Sequence, residues 1–362
     1  MTSQRSSRQL TTTVLGADDL STLLDRVGRH EVMDLMIQRL GERFRQHDLD
    51  TVEVRARDGF RYEKPDLGLV EWMPTHETGG PVVVKMVGYH PTNPVQRALP
   101  SVIATSSMWD TETGHLEAIA DATLLTALRT GAASAVATDV LAVDRPVDVG
   151  LVGLGAQAVT QLHAISRVRE IRRVIGFDSD SQVAATFAAR VAFLDVDVDV
   201  VAPEHASTII SDVDVLCTCT SVDIGAGPVI SDGRTRPGLH VNAVGADFPG
   251  KLELPRSLVG RATVVPDTRE QCELEGECQQ LDPASIGPEL FELLQSADAG
   301  EALRDRLTVF DSTGWAVEDD VALRLAVQLA RAHGIGTETR LERLPADPYD
   351  PYGPAAGVAP QR

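Results

Sequence analysis

The stretch Val147–Val168 reads VDVGLVGLGAQAVTQLHAISRV, and its reading decides the fold. An apolar run of strand length ends at Gly153-Leu154-Gly155-Ala156-Gln157-Ala158, a G-x-G-x-x-A spacing, after which Val159, Leu162, Ile165 and Val168 recur at helical intervals. Strand, glycine turn and helix in that order suit a dinucleotide. Gly153 permits the tight turn, Gly155 lets the backbone approach a pyrophosphate, and Ala158 allows the helix to pack closely on the strand. The N–H groups of the helix N-terminus then face the phosphates. Asp178 lies 25 positions after Gly153, at the end of the next apolar run, RRVIGFD. There a carboxylate accepts from both ribose hydroxyls and repels a 2′-phosphate, and Ser179 and Asp180 supply no compensating cation, so the pattern points to NAD rather than NADP.

Downstream the alternation continues through a helix over Gln182–Leu194, the runs VDVDVV and VDVLCTCTS, and short strands at Leu239–Val244, Ala262–Pro266 and Leu307–Phe310. Such βαβ texture predicts a Rossmann-type doubly wound parallel sheet over residues 146–312. A last helix is expected over Ala316–His333, stopped by Gly334 and returning to the N-terminal part of the chain. Upstream of Arg145-Pro146 the periodicity predicts one helix from Asp18 to Arg45, strands at Val82–Gly88, Ser101–Trp109 and His115–Ala120, and an alanine-rich helix from Ala122 to Ala142. Asp110–Gly114 reads as the hairpin turn between the second and third strands. The expected organisation is therefore an α/β chain of two domains. Residues 146–312 bind the cofactor, and an α+β substrate-binding and dimerisation domain spans 1–145, completed by 313–362. The Pro- and Gly-rich tail from Pro345 reads as extended or mobile.

Composition narrows the function classes. The 362 residues carry 33 Lys and Arg against 53 Asp and Glu, a net charge of −20 that repels nucleic-acid backbones and anionic lipid. No apolar stretch reaches the roughly 20 residues needed to span a bilayer, and the polar start lacks the apolar core of a secretory signal, so the reading places the chain in the cytoplasm. Cys217, Cys219, Cys272 and Cys278 have neither zinc-site nor disulfide-framework spacing, and His76, His90, His163 and His240 show no metal spacing. No metal is expected.

Four charged residues stand in unusual contexts. Lys85 interrupts the apolar strand VVVKMVG on the same face as Val83 and Val87, where it needs an anion or an edge from which to reach water. Arg129 breaks the stripe of the alanine-rich helix, where it meets a carboxylate or phosphate or lies on a solvated face. Glu71 sits between apolar residues in GLVEWMP and suits an ammonium. Asp247 follows VNAVGA at the carboxyl end of a predicted parallel strand, a place for either proton transfer or a turn carboxylate.

The stretches VKMVGYHPTNP, LPSVIATSSMWDTETGHLEAIADATLLTALRTGAASAVA, GLVGLGAQAVTQLHA, VNAVGADFPGKLEL and FDSTGWAVED resemble the ornithine cyclodeaminase and mu-crystallin family. EWMP, VGYHPTNP, EGECQQL and FDSTGWAVED are similar to the branch of that family that acts on L-lysine. The resemblance implies a homodimer with tightly held NAD that converts a diamino acid, L-lysine, to L-pipecolate and ammonia without net redox. Hydride leaves the α-carbon, the side-chain amine attacks the resulting imine, ammonia departs, and the hydride returns. It carries over Arg55, Lys85 and Arg129 to the substrate carboxylate, with Arg57 the alternative to Arg55. Glu71 and Met73 then meet the distal amine and its chain, Asp247 transfers protons, and Thr313 lies near the substrate; Asp247, Glu71 and Lys85 form the catalytic set. Besides Gly153 and Gly155, NAD contacts are implied for Ser101, Arg129, Thr130, Ala156, Gln157, Asp178, Thr220, Ser221, Val244, Gly245, Ala246, Lys251 and Ser312. The alternatives within the resemblance are ornithine cyclisation to proline, net-redox dehydrogenation or ketimine reduction, and non-enzymatic binding.

Overall fold

A computed structural model describes residues 10–201, 209–296 and 298–355. Its strands, in chain order, are β1 (Thr12–Leu15), β2 (Val52–Val54), β3 (Asp58–Tyr62), β4 (Gly68–Glu77), β5 (Val82–Tyr89), β6 (Val102–Trp109), β7 (Leu116–Asp121), β8 (Val147–Val152), β9 (Ile171–Phe177), β10 (Val198–Val200), β11 (Val215–Thr218), β12 (His240–Ala243), β13 (Thr263–Pro266), β14 (Thr308–Asp311) and β15 (Thr337–Thr339). They form two sheets. A mixed eight-stranded sheet runs β15-β1-β7-β6-β5-β4-β2, with β3 also paired to β4, and a seven-stranded sheet runs β10-β9-β8-β11-β12-β14-β13.

Every pairing in the second sheet is parallel. β8, β11, β12 and β14 are buried along their whole length, as strands covered on both faces must be. From β8 the chain winds outward to β9 and β10 on one side and to β11 and β12 on the other. That reversal opens a crevice at the carboxyl ends of β8 and β11.

The first sheet is antiparallel from β2 to β7. The predicted strands correspond to β5, β6 and β7, and β2, β3 and β4, which the sequence reading does not identify, extend them antiparallel, whereas β1 adds parallel to β7 and closes against β15 from the C-terminal end. The predicted single helix over Asp18–Arg45 is two, Ala17–Val27 and Arg29–Arg45, because Gly28 adopts φ 95° between them. The predicted Gln182–Leu194 helix ends at Arg190 and continues only as a short 3-10 turn, Ala192–Leu194. Pro345 bridges to Ala355, so this part of the tail folds back on itself instead of extending.

Two helices join the sheets. Thr123–Leu141 is buried around nearly its whole circumference, which explains a composition of Ala, Gly, Ser and Thr without a polar stripe. It lies against the Ala156–Val168 helix so closely that a Cβ at Gly131 would sit 2.5 Å from the Thr160 carbonyl oxygen. The Ala316–His333 helix spans the predicted residues and packs its buried apolar side chains into the same core as the first sheet and the N-terminal helices.

Candidate active site

The glycine turn is shaped for a dinucleotide. Gly153 has φ 86°, and a Cβ there would lie 2.8 Å from the Cys219 carbonyl oxygen. Gly155 precedes the Ala156–Val168 helix, and no atom lies within 4 Å of its Cβ position, leaving the helix N-terminus open. Asp178 accepts the Leu154 N–H at 2.7 Å and the Asp180 N–H at 2.8 Å, which fixes its carboxylate beside the turn. The Ser312 hydroxyl is buried without a hydrogen-bond partner among the described residues. These groups fit NAD: a bare helix N-terminus for the pyrophosphate, a carboxylate for the ribose, and an unsatisfied buried donor. Thr220, Val244, Gly245 and Ala246 follow β11 and β12 at the crevice. Thr130 is buried, its carbonyl accepting from Gln161, while Gln157 donates to the Thr160 hydroxyl at 3.0 Å.

Beside the turn lies a cleft of about 450 Å³. One wall is the mixed sheet, with Glu71 and Met73 on β4 and Lys85 on β5, and another is the buried helix with Thr126 and Arg129. The third is the carboxyl edge of the parallel sheet, contributing Ser221, Asp247, Phe248, Lys251 and Thr313. Met73 and Lys85 are direct cross-strand partners. Two cations span the cleft by resting on rings: Arg61 lies 5.2 Å from the Phe248 ring centroid, and Lys251 lies 5.0 Å from that of Tyr89.

Lys85 is only 1% exposed, in a central strand, so the edge-strand alternative does not apply. Its Nζ lies 2.7 Å from Asp319, and burial lowers its pKa from 10.5 to about 8 against the pull of that carboxylate. Arg129 is likewise buried and not on a solvated face. It pairs with Asp319 through Nε at 3.1 Å and with Glu318 through Nη1 at 2.8 Å. Burial pushes Glu318 up to about 8. Asp247 meets the Lys251 ammonium at 2.6 Å. Burial outweighs Arg57 at Glu71 and raises that carboxyl.

Of Arg55 and Arg57, it is Arg57 that lines the cleft. Arg55 is exposed and pairs with Glu53; residues 55–57 lie between β2 and β3, outside the strand pairing, so two side chains that regular alternation would put on one face point to different sides. Arg57 Nε lies 3.1 Å from Glu275 and Nη1 lies 4.0 Å from Glu71, while Nη2 donates to the carbonyls of Thr313 at 2.5 Å and Gly314 at 3.0 Å. Ser101 is not among the residues lining the cleft; its carbonyl accepts the His90 N–H at 2.8 Å.

Sequence reading did not single out Arg61, Tyr89, Phe248, Glu275, Glu318 or Asp319. The last two belong to an acidic first helical turn, ordinary in any helix, and only the fold sets them beside Lys85 and Arg129. Glu275 sits at the end of the Arg269–Glu275 helix, and burial raises it to about 7 against the Arg57 charge. The arrangement can hold a carboxylate on the Lys85 and Arg129 side and ammonium groups near Glu71 and Asp247, while Glu275 behind them holds Arg57. Among the described residues no cluster could hold a metal ion, and no helix is long and apolar enough to cross a membrane.

Parallel sheet, open glycine turn and adjoining charged cleft define an NAD-binding α/β protein with a site for a small zwitterion. The chain belongs to the ornithine cyclodeaminase/mu-crystallin family, whose sequence model matches residues 18–333. It is 40% identical to the L-lysine cyclodeaminase of Streptomyces rapamycinicus over 93% of this chain and 97% of that one. A lysine cyclodeaminase solved for its recognition of L-lysine, L-ornithine and L-2,4-diaminobutyric acid superposes with a TM-score of 0.91 at 42% identity, covering 95% of this chain and 99% of the other. An archaeal alanine dehydrogenase dimer with bound NAD superposes at 0.81 with 29% identity, over 92% and 100% of the two chains.

Proposed function

We propose that this protein converts L-lysine to L-pipecolate and ammonia, using NAD catalytically and without net redox. The observation that carries the reading is the pairing, in one cleft, of a buried Lys85–Arg129 wall with the carboxylates Glu71 and Asp247 beside an open dinucleotide turn. A diamino acid presents one carboxylate and two ammonium groups, and this charge pattern is complementary to it. NAD supplies a hydride acceptor and donor at the α-carbon. Lys85 and Arg129 orient the substrate carboxylate. Glu71, with Met73 beneath it, receives the distal ammonium, and Glu275 holds Arg57 in the cleft. Asp247 takes a proton from the distal ammonium so that its lone pair is free, and returns one to the α-nitrogen that leaves as ammonia. Confining both amines in one cleft makes ring closure effectively unimolecular.

Residues 146–312 act as the cofactor unit and supply one wall of the substrate cleft, with the remainder providing the others. The outward face of β5 and β6, exposing Met86, Ile103 and Trp109, pairs with a second copy, which light scattering would read as twice the chain mass. The chemistry is tested with lysine and ornithine, each carrying 15N at the α-amine, supplied together with NAD. Unlabelled pipecolate with labelled ammonia is expected. Dominant unlabelled proline would move the substrate to ornithine, and accumulating NADH without a ring product would replace cyclodeamination by dehydrogenation.

A further inference from the structure

Glu253 is fully buried, has no ion-pair partner among the described residues, and is not among the residues lining the cleft. Its Oε1 accepts both the backbone N–H and the hydroxyl of Thr220 at 2.7 Å, and its Oε2 accepts the Gly245 N–H at 2.8 Å. One carboxylate therefore clamps the loop after β11 to the loop after β12, the two loops that border the crevice. Gly245 has no room for a side chain, since a Cβ there would lie 2.4 Å from Glu253 Oε1.

The clamp is itself held. Glu277 Oε1 accepts the backbone N–H groups of Glu253 at 2.7 Å and Leu254 at 3.2 Å, and Asp311 at the end of β14 accepts those of Glu277 at 2.9 Å and Cys278 at 2.8 Å. Three buried carboxylates thus form a ladder, each gripping the backbone that carries the next. Glu277 lies two residues after Glu275, which faces Arg57 in the cleft. The ladder runs from the substrate side to the cofactor loops.

We propose that Glu253 is a positioning residue for NAD, fixing the Thr220 and Gly245 loops to each other and, through Glu277 and Asp311, to the segment that carries Glu275. The inference rests on the NAD-dependent reading of the crevice, and not on the identity of the amino acid. Its chemical requirement is specific. A glutamine at this position has one acceptor oxygen and one donor nitrogen, so in either orientation an NH2 group faces a backbone N–H, at Thr220 or at Gly245. The Thr220 hydroxyl can rotate to accept; the backbone amides cannot.

The test is calorimetric titration of NAD into the full-length E253Q and E277Q proteins alongside the parent, with thermal unfolding of each without cofactor. E253Q is expected to bind NAD at least 10-fold more weakly while remaining folded. E277Q, one rung away and touching neither Thr220 nor Gly245, is expected to show a smaller loss in the same direction. NAD affinity within 2-fold of the parent in folded E253Q overturns the proposal. If E253Q does not fold, E277Q decides, and unchanged NAD affinity there overturns it equally. A parent protein that binds NAD but does not cyclise lysine would remove the proposed substrate and leave this inference standing.

Discussion

Replacing Lys85 with methionine separates binding from structure. Methionine has nearly the same length and flexibility and keeps the strand packed. The lysine ammonium lies 2.7 Å from Asp319, an attraction of roughly 6 kcal/mol at an effective dielectric of about 20. Burial still outweighs it, since the pKa falls from 10.5 to about 8, which corresponds to about 3 kcal/mol against the charged form. For a cation with a lowered folded-state pKa, that penalty is present in full below about pH 8 and disappears as the pH approaches the ordinary lysine value. The methionine variant removes the penalty at neutral pH. It also leaves Asp319 with Arg129 alone, at 3.1 Å, and stripping one partner from a buried pair costs about 3–5 kcal/mol when no other cation remains. The two effects oppose, so folding stability should change by about 2 kcal/mol or less, measured by thermal and denaturant unfolding. A lost charge-assisted bond to the substrate carboxylate is worth about 1.5–3 kcal/mol, or about 10- to 150-fold in kcat/KM. NAD affinity should be unchanged. A variant that keeps kcat/KM within about 3-fold of the parent would refute the assignment of Lys85 to the carboxylate, as would a collapse of stability accompanied by full activity in the folded fraction.

Asp247→Asn should bind NAD normally and lose about 100- to 10,000-fold in turnover, the usual worth of a proton-transfer group; titration of NAD and steady-state assay of pipecolate give the two quantities. The pH profile of kcat/KM should rise through about pH 7 as Glu275 ionises and fall above about pH 8 as Lys85 loses its proton. Glu275→Gln should flatten the acid limb and leave the alkaline limb in place, and a parent profile flat across both values would contradict these assignments.

The cofactor half of this protein is legible in the sequence because it is local. Gly153, Gly155, Ala158 and Asp178 act through turn geometry, close packing and a helix N-terminus, all fixed by spacing along one strand–turn–helix unit. The Ala316–His333 helix is legible for a similar reason, its periodicity and terminal glycine being near-neighbour signals. Lys85, Arg129, Glu71 and Asp247 stand out as charges in apolar surroundings, and the structure brings them to one cleft.

What pairs with them was decided only by the tertiary structure. Glu318 and Asp319 resemble any acidic first turn until the closing helix crosses back beneath β5, some two hundred residues earlier in the chain. Arg57 and Arg55 are indistinguishable by composition, and the direction of each side chain, set by the path of the chain between β2 and β3, puts one in the cleft and the other in solvent. β1 and β15 were equally hidden, since short strands gain their stability from partners far away in sequence. The Glu253–Glu277–Asp311 ladder follows the same rule. Each carboxylate is stabilised by backbone N–H groups that the sequence does not mark, so spacing along the chain determines the cofactor turn, whereas burial and long-range contact determine the charges that surround it.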